Sequence, residues 1–118
     1  MPEIKQKPVP EHLKPVFKHA GIRFKNYRSP ETFERDLLKY LETNHVMHLG
    51  TCVINSQRVT PVMYRNNGLM FYVMTEGGVK LANIRKNRKV SFSIADPYNS
   101  SEDMLGYKGL QAWGIANV

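Results

Sequence analysis

The sequence feature that most constrains the fold is a hairpin signal, Asn66-Asn67-Gly68, between two β-rich runs. Asn-Gly is favoured in two-residue type I′ turns, because both central residues need positive φ and these two residue types adopt it at low cost. The flanking runs, Val59 to Tyr64 and Leu69 to Thr75, are rich in β-branched and aromatic residues. The pattern therefore predicts two antiparallel strands joined at this turn.

Further β-rich runs extend this pattern along the chain. They cover His45 to Ile54, which a polar turn at Asn55 to Gln57 closes, then Val90 to Ala95 and, after a loop from Asp96 to Gly106, Tyr107 to Val118. Several short antiparallel strands in 118 residues favour a barrel, because closure removes exposed sheet edges.

Two helices are predicted beside these strands. Ser29-Pro30-Glu31 is a helix start, with serine as the N-cap, proline at the first helical position and glutamate at the positive end of the dipole. The first helix covers residues 30 to 43, with an apolar stripe of Phe33, Leu37, Leu38 and Leu41. A short second helix is expected from Val79 to Lys86, after the glycine pair Gly77-Gly78. The predicted order is helix, three strands, helix, two strands.

The domain organisation follows from length and composition. A chain of 118 residues is sufficient for one domain, which we place at residues 29–118. Residues 1–28 carry prolines and lysines with little apolar content and are expected to form a surface arm. The β pattern continues to Val118 without a terminating signal, so we expect the natural protein or its barrel to extend further.

The charge and the cysteine content limit the functional classes to which the protein can belong. The net charge of +7 is compatible with a nucleic acid, an acidic membrane surface or a phosphorylated small molecule as partner. No apolar run approaches the roughly 18 residues of a membrane span, and no secretory signal pattern is present, so a cytoplasmic location is expected. Cys52 is the single cysteine, which excludes an internal disulfide and a cysteine zinc cluster.

The segment from Phe71 to Lys80, a strand that runs through a glycine pair into a helix start, has the chemistry of a phosphate site. Its two glycines allow backbone N–H groups to approach an anion, and a helix N-terminus adds positive potential. Thr75 contributes a hydroxyl donor and Lys80 an ammonium group. The same pattern is also typical of an ordinary turn, and it lacks the ending of a Walker P-loop.

The wider pattern resembles the FMN-binding split-barrel family related to pyridoxamine 5′-phosphate oxidase. The matching stretches run from Leu49-Gly50-Thr51 through Val59 to Tyr64, the Asn-Gly hairpin, Phe71-Tyr72, Thr75 and Lys80 to the segment 83–91, and end on residues 112–116. The resemblance covers roughly residues 37 to 116. At the exit from the second helix, Arg88 and Lys89 replace the family's common proline and arginine.

This resemblance implies a mainly β fold with flanking helices, a split β-barrel of the FMN-binding type. It implies FMN as cofactor, held between the two barrels of a homodimer, with Thr75 and Lys80 on the phosphate and either Arg58 or Lys108 as a second positive group. Trp113 either reaches the partner's flavin or packs in a core or dimer contact. The implied cofactor-binding residues are Arg58, Val62, Met63, Tyr64, Met74, Thr75, Val79, Lys80, Lys108 and Trp113, of which Val62, Met63 and Tyr64 line the isoalloxazine ring.

The resemblance also implies an oxidoreductase that passes hydride or electrons between a reduced nicotinamide, NAD(P)H, and an unidentified acceptor. The flavin carries this chemistry, and no catalytic side chain can be assigned. Pyridoxamine 5′-phosphate oxidase activity itself is not expected, because that enzyme's substrate-contacting residues find no match here. The alternative is a non-catalytic binding or sensor module for a flavin, a deazaflavin or haem on the same fold.

Two other residue clusters have simpler interpretations. His45 and His48 lie three apart, which places them on opposite faces of a strand, so no metal site is expected. The basic cluster from Arg85 to Lys89 is typical of a solvated helix end. Nucleic-acid binding is not favoured, because no known motif and no aromatic stacking platform stands beside this cluster in the sequence.

Overall fold

The computed structural model describes residues 10–19, 29–97 and 108–118. Both predicted helices and all five predicted strands are present in the expected order. The helices are α1 (Lys14–His19, after a 3-10 turn at Glu11–Leu13), α2 (Pro30–Thr43) and α3 (Val79–Lys86). The strands are β1 (Val46–Val53), β2 (Ser56–Asn67), β3 (Met70–Met74), β4 (Lys89–Ala95) and β5 (Gly109–Ile115). Helix α1 lies in the segment expected to be an arm, and most of the expected loop from Asp96 to Gly106 lies outside the described residues.

The five strands form one antiparallel sheet in the order β3-β2-β1-β4-β5. The sheet is a half-barrel, and within the described ranges β3 and β5 are its two edges. This confirms the predicted mainly β fold with flanking helices. The predicted closure into a barrel is only partial, because among the described strands β3 and β5 each pair with one neighbouring strand.

One face of the half-barrel, which we call the inner face, holds the core. Along β1 every second side chain from Met47 to Thr51 is buried, and the alternation continues on β2 at Val62 and Tyr64. Helices α2 and α3 pack against this face. The buried apolar residues of this core are Leu41, Met47, Leu49, Val62, Tyr64, Ile84 and Ile94.

Side-chain caps fix both ends of α2. Ser29 is the N-cap, as predicted, and its Oγ accepts a hydrogen bond from the Thr32 N–H at 3.2 Å. At the other end, Asn44 Nδ2 donates to the Tyr40 carbonyl at 2.8 Å, and the Tyr64 hydroxyl donates to the Leu41 carbonyl at 2.7 Å. These bonds satisfy carbonyl groups that have no partner within a helix end. Burial raises the pKa of Tyr64 above its ordinary value.

The two hairpin turns differ from expectation in register. The β2–β3 loop consists of Gly68 and Leu69, since Asn67 pairs with Met70, and only Gly68 has positive φ, at 59°. A single positive φ at the first loop position is the pattern of a type II′ turn, so the predicted type I′ turn centred on Asn67-Gly68 is wrong. The β1–β2 loop begins one residue before the predicted turn, at Ile54, whose φ is 55°.

None of the described helices is both long enough and apolar enough to span a bilayer.

Candidate cofactor site

The N-terminus of α3 has the geometry expected of an anion site. Gly78 is its N-cap with φ of 123°, a conformation that L side chains rarely adopt, and no side chain caps the first turn. That turn contains no acidic residue and contains Lys80. The first N–H groups of the helix are therefore available to a ligand, and the helix dipole favours a negative charge there.

Thr75 lies between β3 and this helix. Its hydroxyl donates to the Glu76 carbonyl at 3.0 Å, which holds the side chain within the connecting loop. A hydroxyl also accepts and exchanges hydrogen bonds readily, because it rotates to suit its partner. Val79, at the first position of the helix, is partly exposed. The strand end, the glycine pair and the helix start are thus consecutive, as the sequence predicted.

Strand β2 has an open edge beside this segment. It pairs with β3 only from Met63 onward, so among the described strands residues 56–62 have β1 on one side and no strand on the other. Pro61 lies in this stretch, which fits the requirement that a residue without an N–H occupy a sheet edge. Backbone groups on the open edge can bond to a ligand.

The three residues assigned to the ring fall on two different faces of β2. Met63 is 62% exposed and stands directly opposite Met74 of β3, which is 82% exposed. Val62 and Tyr64 are buried in the core, at 6% and 2% exposure. The structure therefore brings Met63 and Met74 together next to Thr75, whereas Val62 and Tyr64 can meet a ligand on the open edge only through backbone atoms.

The two candidates for a second positive group lie at opposite ends of the sheet. Arg58 is paired with Thr51, whose hydroxyl accepts a hydrogen bond from Asn83 of α3 at 3.2 Å. Asn83 lies one turn after Lys80, so Arg58 belongs to the end of the sheet that α3 covers. Lys108 precedes β5, where its N–H donates to Asp96 and its carbonyl accepts from the Tyr40 hydroxyl, beside α2.

The second face of the sheet, which we call the outer face, is open and largely apolar. Trp113 lies on it with 77% exposure, well away from the core. Its other large apolar side chains are exposed by 48% or more: Val46, Val59, Met63, Met70, Tyr72, Met74 and Ile115. Single exposed apolar side chains are ordinary, but a face that carries this many is a candidate surface for a partner or a ligand.

In the described ranges, no three or more His, Cys, Asp or Glu side chains are grouped so that they could hold a metal ion. His48 is on the outer face, opposite Pro61 on one side and Ser93 on the other. His45 precedes β1, and its carbonyl accepts from the Tyr64 N–H at 2.9 Å.

Comparison with known proteins adds little to this geometry. No protein-family model matches the chain, and no curated protein matches it significantly. Among solved structures, the crystal structure of a FAD-binding protein from Mesorhizobium loti is similar to part of the chain, with 24% sequence identity and a TM-score of 0.49. The match covers 52% of this chain and 46% of that one, so the chain spans just under half of that protein's length.

Proposed function

We propose that this protein binds FMN and acts as a flavin-dependent oxidoreductase. The observation that carries the proposal is the uncapped start of α3, with Lys80 in its first turn, shortly after Met74, which ends β3 and forms an exposed pair with Met63 of β2. A phosphate group and an apolar, planar ring need these two surfaces side by side.

The phosphate is assigned to the backbone N–H groups at the start of α3, with Thr75, Lys80 and Arg58 as side-chain donors. Arg58 is preferred to Lys108 because it lies at the end of the sheet that α3 covers, whereas Lys108 is tied to Asp96 and Tyr40 at the opposite end. Charge-assisted hydrogen bonds of this kind are roughly twice as strong as neutral ones.

The ring is assigned to the open edge of β2 and to the methionine pair. Met63 and Met74 offer flexible, polarizable side chains that pack well against an aromatic face. The backbone of Val62 and its neighbours supplies hydrogen-bonding groups along the edge that lacks a paired strand. When bound there, FMN would supply the hydride chemistry, while these residues would orient the ring and limit its exposure to water.

A homodimer with the flavin at its interface forms part of the proposal. The exposed apolar residues on the β1–β3 part of the outer face adjoin the assigned ring site, so a second copy over this part would cover both at once and leave the β4–β5 corner open. A Val46→Asp variant should shift the protein toward monomer in sedimentation equilibrium, because it buries a charge in the contact. Val16→Asp changes an exposed valine on α1, outside the proposed contact, and should leave the mass of the assembly unchanged. A wild-type protein that is monomeric with saturating FMN would refute the dimer.

The decisive experiment for cofactor binding is a titration of FMN against Lys80→Ala. We expect the variant to lose about 1.5 to 3 kcal/mol of binding free energy, the scale of one charge-assisted hydrogen bond. Lys86→Ala is the matched control, since it removes the same charge from the other end of α3. Equal FMN affinity in wild type and Lys80→Ala would show that the phosphate assignment is wrong.

The oxidoreductase activity has its own test. Anaerobic addition of NADH or NADPH should bleach the absorbance of the bound flavin, and air should restore it. Failure of both donors to bleach it would refute the oxidoreductase and leave a flavin-binding module. A preparation with a Soret band that ignores FMN would refute the flavin proposal in favour of haem.

A further inference from the structure

The sheet brings together two residues that lie far apart in the sequence, Lys89 and Trp113. Lys89 at the start of β4 stands opposite Ile115, and Trp113 on the same face of β5 stands opposite Ser91. Such diagonal neighbours on one face of a sheet lie roughly 7–8 Å apart, within reach of aromatic and long side chains. An exposed indole and a lysine side chain that can reach it therefore share one corner of the outer face.

A trough runs from Trp113 across the sheet. The directly opposed row is Trp113, Ser91, Gly50 and Val59, so two small residues lie between two bulky, exposed ones. A Cβ atom at Gly50 would lie 2.9 Å from Ser91 Oγ, so a larger residue there would fill the floor. The trough has a volume of about 210 Å³. Pockets for whole drug-sized ligands start at roughly 300 Å³, so this one is suited to a single ring.

Polar groups border one side of the trough. His48, Ser93 and Gln111 stand opposite one another on three adjacent strands, and all three line the trough. Imidazole, hydroxyl and amide groups both donate and accept hydrogen bonds. They match the edge of a nitrogen-containing aromatic ring better than that of a plain hydrocarbon.

The cations at this corner are held on a fixed backbone. Asn87 Nδ2 donates to the Cys52 carbonyl at 2.9 Å, and the Ala116 N–H donates to the Arg88 carbonyl at 2.8 Å. The sequence has no Asp or Glu between Glu76 and Asp96. Positive charge is therefore concentrated here, and no carboxylate in this stretch opposes it.

We propose that this corner is a nucleotide-binding site, with the ring of the ligand in the trough against Trp113 and its phosphate on Lys89. Stacking on an aromatic side chain combined with a basic rim is the general chemistry of nucleotide recognition. A free mononucleotide and a nicotinamide dinucleotide share this chemistry. Identifying the site as that of the reduced nicotinamide donor rests on the proposed oxidoreductase function.

Trp113 is the only tryptophan in the sequence, so its fluorescence reports directly on the site. The FMN-saturated protein is titrated with NADP⁺, AMP and sodium pyrophosphate. We expect saturable quenching by NADP⁺ and by AMP, and competition without quenching by pyrophosphate. NADP⁺ affinity at least tenfold above that of AMP identifies a dinucleotide site, and equal affinities identify a mononucleotide site. Absence of saturable quenching by either nucleotide overturns the proposal.

Variants test the assignment of the residues. Lys89→Ser should weaken AMP and NADP⁺ binding at least tenfold, and Gly50→Val should abolish it by filling the trough. Lys39→Ser, on the exposed surface of α2, is the control and should bind as wild type. Unchanged nucleotide affinity in Lys89→Ser overturns the proposal, even if Gly50→Val fails to fold.

The two proposals fail separately. Lys80→Ala tests the FMN phosphate site and is followed by flavin absorbance, whereas Lys89→Ser is followed by nucleotide-dependent quenching. If Lys80→Ala binds FMN as wild type does, the flavin assignment is refuted. The nucleotide titration, repeated without FMN, then still tests the nucleotide site.

Discussion

The inner and outer faces of the half-barrel are built by the same strands but differ in burial. On β1, Met47 and Leu49 are buried beneath the helices, while their neighbours Val46 and His48 are exposed. An antiparallel sheet normally alternates apolar and polar side chains when one face meets water. Here both faces carry apolar residues, yet α2 and α3 cover only one of them. The exposed apolar side chains of the outer face are the ones that the proposed dimer and ligand would cover.

The largest expected contrast between the faces is in stability. Leu41→Ala, in the core contact of α2, should lower the free energy of unfolding by about 2 to 5 kcal/mol, because it leaves a cavity in addition to the lost burial. Met74→Ala, on the outer face, should change the stability of the monomer by less than about 0.5 kcal/mol. Urea unfolding at low protein concentration measures both, and similar losses in the two variants would contradict the distinction between the faces.

A smaller effect is expected at the buried hydroxyl of the inner face. Tyr64→Phe removes the bond to the Leu41 carbonyl and should cost about 1 to 3 kcal/mol, since that carbonyl is left without its partner. Tyr72→Phe, at an exposed position of the outer face, is the matched control and should be nearly neutral. Equal effects of the two substitutions in urea unfolding would argue against a structural role for the Tyr64 hydroxyl.

The same tyrosine predicts a pH dependence. Burial raises the pKa of Tyr64 in the folded state above the ordinary value of 10.0. The unfolded chain therefore loses this proton first, and the stability from the neutral hydroxyl is present below pH 10 and falls as pH rises through the folded-state pKa. The stability advantage of wild type over Tyr64→Phe should accordingly shrink in alkaline solution. An advantage that grows above pH 10 would contradict this sign.

The smallest effect on stability is expected at the tip of the β1–β2 hairpin. Ile54 is 90% exposed and holds φ at 55°, which is unfavourable for a β-branched residue. Ile54→Asn should therefore stabilise the protein by about 1 kcal/mol, because asparagine tolerates the left-handed region. Asn55→Gly, at the neighbouring position without positive φ, should give no gain. Thermal unfolding with a lower midpoint for Ile54→Asn would refute the strain argument.

Local signals in the sequence predicted the helices well. The bounds 30–43 and 79–86 match the structure, because a serine cap with Pro30 and a glycine pair act over only a few residues. The type I′ turn was wrong because strand pairing, rather than local preference, fixed the register and placed Gly68 first in the loop.

The candidate site was predictable only in part. The order Thr75, glycine pair, Lys80 is local, and the structure places it as expected. The choice between Arg58 and Lys108 depends on which end of the sheet α3 covers, which the Asn83–Thr51 bond reveals. An aromatic residue near the basic cluster was not predictable from the sequence, because only the pairing of β4 with β5 makes Trp113 a neighbour of Lys89.

By itself, the sequence determined the order of helices and strands, the caps of α2 and the glycine-bearing start of α3, since each depends on interactions within a few residues. Only the tertiary structure decided which side of each strand is buried. It buried Val62 and Tyr64 in the core and left Met63, Met74 and Trp113 exposed. Along a strand, either of the two alternating sets of side chains can face the core. When both sets contain apolar residues, the helices that pack on one face decide which set is buried.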